Sequence, residues 1–375
     1  MFLRTKFPDK NLALIVDVER DQESAALLRV GEDKNLSFIA WWKHFRWADV
    51  FKSFAPGIFP GGVSVIVHPT LTHTVYIPLR FTRKKREHLL GRAQFEQFLV
   101  NAVSAAQNRY LEEAAARLSI DPLDVVMTGA RLMHLAAEGQ DVALSHGGNA
   151  QELEMVLEVV FIPRWLSQQW SPFFNASGGF FFHDTLHAQF EAIRRVDPVV
   201  QSVVEVGWEE TSFITKDATG TKQRFKKGRI RWSLWGFSRH VGDQLGLSAD
   251  AIRRIALLHS WEGLSGAAAR AFSHASRPFV ARLAKEIARA GLSGAVYVNA
   301  PFPLFPGERF RSEGVSLIPA PTNLIEAQLG FRVSEAGEVP LQKLFPYLAS
   351  FMGFYYDKSN VGVNRFLKRR LHWLA

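Results

Sequence analysis

The spacing of apolar positions divides the chain into a β-rich start, one long helix, and a second stretch in which strands and helices alternate. Leu12–Asp17 is a short apolar run, and Ser24–Val30 and Leu36–Trp42 follow at turn-punctuated intervals that predict strands. Val63–His68 (VSVIVH) and Thr74–Leu79 (TVYIPL) predict a further strand pair. From His88 to Leu118 the period changes. Phe95, Leu99, Val103, Ala106, Tyr110 and Leu118 recur at three- and four-residue steps or their multiples, with Arg and Glu between them, which predicts an amphipathic helix. Asp124–Thr128 and Leu153–Ile162 read as strands flanking a Gly-rich turn at His146–Asn149. Trp165–Val196 predicts mostly helix, broken at Ser177–Gly179. Val199–Val206 and Thr211–Thr215 predict a hairpin. Helices are expected at Leu234–Leu245, Ala249–His259 and Pro278–Ala290, and a strand at Ala295–Asn299. Gly314–Arg332 reads as a Pro-containing connection, and Leu341–Tyr356 as a last long helix. Strands first, then alternating helices and strands, indicate a large α/β protein with two related halves.

Composition narrows the chemistry. The 375 residues are 47% hydrophobic and 22% charged, enough apolar material for a large core. There is no Cys, which excludes disulfides, thiolate catalysis and Cys-ligated zinc, and fits a reducing compartment. The opening MFLRTKFPDKNLALIVDVER does not read as a signal peptide, because its apolar run is short and no small-residue cleavage site follows. No segment approaches the roughly 18 apolar residues of a membrane span. The expectation is a cytoplasmic chain. The net charge of +9 is concentrated at Arg80–Arg86, Lys222–Arg231 and Arg365–Arg370. Without a zinc-finger spacing, a helix-turn-helix pattern or an RNA-binding signature, this charge predicts no nucleic-acid partner and leaves solvated faces or an anionic membrane surface.

Catalytic motifs are sparse. There is no HExxH, GxSxG, P-loop Lys or dinucleotide fingerprint. His183 and His187 in HDTLH are an i, i+4 pair beside Asp184, a pattern that can hold metal but more simply reads as a polar helix face, and no metal site is expected.

Several segments, in this order, carry a resemblance. LALIVDVERDQESAALLRV, VSVIVHPTLTHTVYIPLRF, the stretch from Ile120 to Ile162, VVEVGWEETSFI, FKKGRIRWSLWGFSRHVGDQLGLSADAIRRI, GLSGAVYVNAPFPLFPG and LFPYLASFMGFYYD together resemble the FtsA/PilM-like branch of the actin-like ATPase superfamily. The resemblance implies an α/β actin-like fold with two ribonuclease-H-like halves and a small inserted α+β subdomain. The expected division is residues 1–80 and 165–200 in the first half, 81–164 in the insertion, 201–340 in the second half, 341–356 as the closing helix, and 357–375 as linker and tail.

It also implies an ATP site built from two phosphate loops and an adenosine loop, and each loop departs from the family. The second phosphate loop of the family runs Asp-x-Gly-Gly-Gly-Thr-Thr-Asp, and here Glu205, Val206, Gly207, Trp208, Glu209, Glu210, Thr211 and Ser212 stand in its place. Glu205, Gly207 and Thr211 match in kind, as does Asp17 in the first loop. Trp208 would obstruct backbone approach to a phosphate, and Glu209 and Glu210 would oppose it. At about 5 Å and an effective dielectric near 20, each charge pair costs roughly 3 kcal/mol. Glu19, Arg20 and Asp21 replace small and hydroxyl residues in the first loop, and Asn299-Ala300-Pro301-Phe302-Pro303 replaces the Gly pair under adenosine. The expectation is a pseudo-ATPase without a cofactor, ATP and magnesium being disfavoured.

The tail VNRFLKRRLHWLA places Val363, Phe366, Leu367, Leu371 and Leu374 on one helical face, with Trp373 at its margin and Arg365, Lys368, Arg369 and His372 opposite. Arg370 falls within the apolar arc and would have to snorkel. This is the composition of an interfacial anchor, and FtsA-like proteins typically end this way. Together these readings predict a membrane-associated scaffold, peripheral on the inner membrane. A cell-division or pilus-type protein would be its partner, and self-association is an option. The alternatives are an active ATPase of the same fold and a PilM-like pilus adaptor.

Overall fold

A computed structural model describes residues 8–18, 23–32, 35–45, 59–82, 92–142, 152–174, 180–217, 224–258, 264–305, 307–322, 332–334, 341–355 and 367. Two six-stranded sheets carry the two halves, and a four-stranded sheet is inserted in the chain within the first of them. In the first half β1 (Pro8–Val18), β2 (Glu23–Val30) and β3 (Asn35–Trp42) form an antiparallel meander. β4 (Phe59–Val67) then pairs parallel to β1, and β9 (Phe180–Asp184) parallel to β4. The second half repeats the plan. β10 (Ser202–Val206), β11 (Thr211–Asp217) and β12 (Arg224–Ile230) form the meander, β13 (Gly294–Asn299) pairs parallel to β10, and β15 (Val315–Pro319) parallel to β13. The shared order, third-second-first-fourth-fifth, makes the halves structural duplicates of the ribonuclease-H-like kind. Both sequence-predicted hairpins are present, Leu12 opposite Arg29 through Val18 opposite Glu23, and Ser202 opposite Thr215 through Val206 opposite Thr211.

β1 and β4 are buried on both faces, which is why they read as unbroken apolar runs rather than alternations. Leu12, Leu14, Val16, Val63 and Val65 pack with Leu166 and Trp170 of α2 (Arg164–Phe174). Ala13, Ile15 and Ile66 face the other way, onto Leu344, Leu348 and Phe351 of the closing helix α7 (Leu341–Tyr355). Hydrogen bonds Ser24–Tyr347 (2.6 Å) and Ser64–Ser350 (2.7 Å) fix α7 on the first half. In the second half, α4 (Leu234–Leu245), α5 (Ala249–Leu258) and α6 (Gly266–Arg289) cover one face through Phe237, Ile252 and Leu283.

Five expectations are corrected. Val63–His68 and Thr74–Leu79 do not pair with each other. β5 (His73–Thr82) has one half-buried apolar face, Val75, Ile77, Leu79 and Phe81, and it pairs along its length with β8 (Glu152–Pro163), from His73 opposite Phe161 to Thr82 opposite Glu152. The insertion therefore begins near His73, not Phe81. Its antiparallel sheet, completed by β6 (Val125–Ala137) and β7 (Gln140–Asp141), is packed by α1 (Arg92–Leu118). Within the predicted helix at 165–196 lies β9, whose FFFHD run completes the first sheet before α3 (Thr185–Val196) begins. α6 starts twelve residues before Pro278, because Phe272 and Ala275 continue its buried stripe across the proline. Residues 314–332 hold β15, with β14 (Phe310–Ser312) just before it. β16 (Arg332–Ser334) returns to pair with β3 in the first half. The Gly-rich turn 146–149 lies outside the described residues. Among the described residues, no helix is long and apolar enough to cross a membrane.

Candidate functional site at the cleft between the halves

Strand β4 delivers His68 between the two hairpins. The His68 N–H donates to the Val18 carbonyl at the end of β1 (3.0 Å). The His68 Nε2 lies 3.6 Å from where a Cβ on Gly207 would project. Nδ1 faces Thr70, whose Oγ1 lies 2.9 Å and whose N–H lies 3.3 Å away, while Nε2 is the nitrogen nearer Gly207. Burial pushes the His68 imidazole down to about 4 despite the nearby Asp184 carboxylate, so the ring is neutral at physiological pH.

The second hairpin turns through Gly207–Glu210, closed by Gly207 N–H to the Glu210 carbonyl (3.0 Å). A Cβ at position 207 would sit 2.7 Å from that carbonyl oxygen, so only glycine fits. Thr211 is fully buried, and its hydroxyl donates to the Trp232 carbonyl (2.8 Å). Glu205 is buried and accepts from Gln189 Nε2 of α3 (3.1 Å). Asp17 is half-buried near the end of β1, opposite Ser24 and beside Ile66, while Glu19, Arg20 and Asp21 lie outside the described residues. Of the four matched loop positions, Gly207 and Thr211 thus serve the hairpin itself, and Glu205 is engaged by α3.

Trp208 points toward the adenosine-loop side. Its ring centroid lies 5.5 Å from that of Trp235 and 6.1 Å from that of Phe302, and the Arg253 guanidinium caps both indoles at 5.2 and 5.6 Å. Phe302, Leu304 and Phe305 of the adenosine loop are buried in the second-half core. The first free N–H groups of α4 are also occupied: Leu234 N–H donates to the Gly207 carbonyl (3.0 Å) and Trp235 N–H to the Trp208 carbonyl (3.1 Å). Glu210 pairs with Arg229 (3.0 Å), and burial raises its pKa in spite of that partner.

The deepest part of the cleft is a polar network joining all three parts of the molecule. Asp184, at the end of β9, is 2% exposed and accepts from Thr72 Oγ1 (2.8 Å), Thr74 Oγ1 (3.1 Å), His187 N–H (3.2 Å) and the ammonium of Lys227 from β12. Burial alone would raise the Asp184 pKa, but Lys227 and the hydroxyl donors outweigh it and hold the carboxyl below its usual range. Next to it, Tyr76 hydroxyl and His187 Nδ1 are 2.7 Å apart, and Glu158 takes Arg131 at 2.7 Å with His187 at 3.4 Å. Burial opposes ionisation of Glu158, and Arg131 reverses the balance, so its pKa is lowered. The Tyr76 ring also packs at a tilt against Phe225 of β12, with centroids 5.1 Å apart. This network ties β12 of the second half to β9, α3 and β5.

A triphosphate requires free N–H and hydroxyl donors beside small residues. Gly207 and Trp208 instead direct their carbonyls to α4, the Thr211 hydroxyl is spent on Trp232, and Trp208, Phe302 and Arg253 fill the adenosine side. These described groups are engaged within the chain, while residues 19–22 of the first loop lie outside the described residues. Beside the second loop, an open cavity of ≈ 670 Å³ is lined by Glu209, Glu210, Arg229, Arg231, Phe279 and Arg282, with both charge signs facing it.

Other sequence-predicted sites separate. His183 is on β9 and His187 on α3, so they are not one turn apart on a helix; among the described residues no group of His, Asp and Glu is placed to hold a metal. Within the basic run, Arg224–Ile230 forms β12, where Lys227 pairs with Asp184 and the more exposed Arg229 pairs with Glu210. Lys227 was invisible to sequence reasoning, since its partner is 43 positions away. In the first cluster Arg80 pairs with Glu152 on β8. In the tail, Leu367 is helical and 1% exposed, buried in the core of the inserted subdomain, and so is withdrawn from a lipid surface in this structure. Arg365, Phe366, Lys368, Arg369, Arg370, Leu371, Trp373 and Leu374 lie outside the described residues.

No family model matches the chain, and no curated protein matches it by sequence. Among solved structures it is similar to the PilM-PilN type IV pilus biogenesis complex, at 12% identity and TM-score 0.47 over 96% of this chain and 98% of that one. It is also similar to the cytoplasmic domain of EpsL, an inner membrane component of the type II secretion system of Vibrio cholerae, at 11% identity and TM-score 0.35 over 90% and 94%. A Bacteroides thetaiotaomicron protein with an actin-like ATPase fold matches at 7% identity and TM-score 0.35 over 90% and 96%. On its own strand order, duplicated about a cleft and interrupted by a four-stranded insertion, the chain has the two-half actin-like fold.

Proposed function

We propose that this chain is an actin-like scaffold, held peripherally at the inner face of a membrane by its terminal segment, rather than an ATP-driven enzyme. The cleft carries the reading. Trp208 and Arg253 occupy the adenosine side, and the Lys227–Asp184 pair ties the halves together where a nucleotide-driven fold would need to open and close. The basic amphipathic tail supplies the membrane half of the reading. Arg365, Lys368, Arg369 and Arg370 near an anionic surface contribute roughly 4 kcal/mol at most. One tail binds weakly, and several on one assembly bind firmly. The inserted subdomain is the surface for a cell-division or pilus-type partner. A PilM-like adaptor role is the second reading. The burial of Leu367 in the insertion favours it to this extent: that subdomain accepts an apolar side chain from outside its own fold.

Co-sedimentation with anionic vesicles tests the proposal. The full chain should pellet and a chain ending at Tyr356 should not. Leu371→Glu should abolish binding at any salt, whereas Lys368→Ala with Arg369→Ala should weaken it mainly at low salt, where screening is least. Equal sedimentation of the full and shortened chains would remove the membrane role.

A further inference from the structure

The inserted subdomain has a core formed by α1, β6 and β8: Phe95, Leu99 and Val103 from the helix, Leu132 from β6, and Leu157 and Phe161 from β8. One member of that core comes from far outside it. Leu367 lies beyond α7, over 200 residues after β8 leaves the insertion, yet it is 1% exposed within the cluster. An exposed leucine would give up little by leaving the surface, but a buried one is held there by apolar area removed from water. By sequence, Leu367 is the centre of the apolar stripe Val363-Leu367-Leu371-Leu374, with Arg365, Lys368 and Arg369 on the opposite face. Leu367, at the centre of the face that would enter a lipid surface, is thus the residue that meets the insertion.

We infer that the inserted subdomain is a docking site for this chain's own terminal segment, and that docking and membrane insertion exclude each other. One apolar stripe cannot be buried in protein and in acyl chains at once, so the docked segment is a latch that an anionic membrane releases. Release uncovers the α1–β8 face of the insertion, the surface offered to a partner, only when the molecule is on a membrane. The release half of this inference rests on the membrane reading above; the docking half does not.

Hydrogen exchange on the intact chain tests both halves. Without lipid, ending the chain at Tyr356 or introducing Leu367→Glu should speed exchange in α1 and β8 by a factor on the order of ten, and leave β10–β11 of the second half unchanged. The unchanged strands report that the variants still fold. Exchange in α1 and β8 that is the same with and without the segment would overturn docking. Vesicles containing phosphatidylglycerol should accelerate the same α1 and β8 amides in the full chain, as the shortened chain does without lipid. Vesicles that pellet the protein while leaving those amides protected would overturn the exclusion. Vesicles that fail to pellet it would remove the membrane reading and with it the release, while the lipid-free comparison still decides the docking.

Discussion

Replacing Lys227 by Met removes one half of the ion pair that joins the two halves and keeps most of the side-chain volume. The Lys227 side chain is 15% exposed and that of Asp184 is fully buried. The variant leaves a carboxylate with three donors, Thr72, Thr74 and the His187 N–H, and no counter-ion. Breaking a buried pair from one side costs about 3–5 kcal/mol. The cost should depend on pH, with a sign that follows from the two carboxyl states. In the native protein the Asp184 pKa is depressed, so its stabilisation is present above the unfolded carboxyl value and is lost as pH falls through the folded value. Without Lys227, burial dominates and raises the folded pKa above the unfolded one. The variant is then penalised most at neutral pH, and its deficit shrinks as pH drops toward the usual carboxyl range. Adding Asp184→Asn removes the buried charge and should recover about 2 kcal/mol or more. Urea unfolding of the two single variants and the double variant at neutral pH and at pH 5 measures all of this. A Lys227→Met cost below about 1 kcal/mol, the same at both pH values, would show that the pair does not hold the halves together.

Two further outcomes follow from the cleft. Trp208→Ala should destabilise by about 2 kcal/mol, since it removes a half-buried ring packed at a tilt against two others and capped by Arg253, and it should not create ATP binding, because the α4 N–H groups remain bonded to loop carbonyls; differential scanning calorimetry with and without MgATP reads both. Acid should destabilise the fold as pH falls from about 6.5 to about 4, because burial depresses the imidazoles of His68, His73 and His187 and the unfolded chain takes up protons first; His68 alone accounts for about 3 kcal/mol at most, and His68→Gln should flatten the pH dependence of the urea midpoint.

What was legible in the sequence was whatever local pattern decides. The two hairpins announced themselves because Leu12–Val16 is an unbroken apolar run and Val203–Val206 an apolar run interrupted by Glu205, each ending near turn residues, as double-sided burial requires. The strand β9 was hidden because FFFHD runs directly into the helix capped by Asp184, and one short apolar run beside a helical period fits either element. The start of the insertion was misplaced because VSVIVH and TVYIPL are both strands, and only their partners, β1 for one and β8 for the other, separate them. The departures at Trp208, Glu209 and Glu210 could be read from the sequence. The Lys227–Asp184 pair could not, since Lys227 sits in a run that looks solvated and finds Asp184 only in three dimensions. The same limit applied to Leu367, whose amphipathic stripe specifies an apolar neighbour without specifying whether it is lipid or protein.

The central claim is that the actin-like cleft is filled by the chain's own side chains and no longer works on a nucleotide. Isothermal titration of the full chain with MgATP, followed by phosphate-release measurement on the same sample, tests it most directly. The account predicts no saturable heat at millimolar nucleotide and no phosphate release above the protein-free rate. Stoichiometric binding with steady turnover that Glu205→Ala abolishes would contradict it.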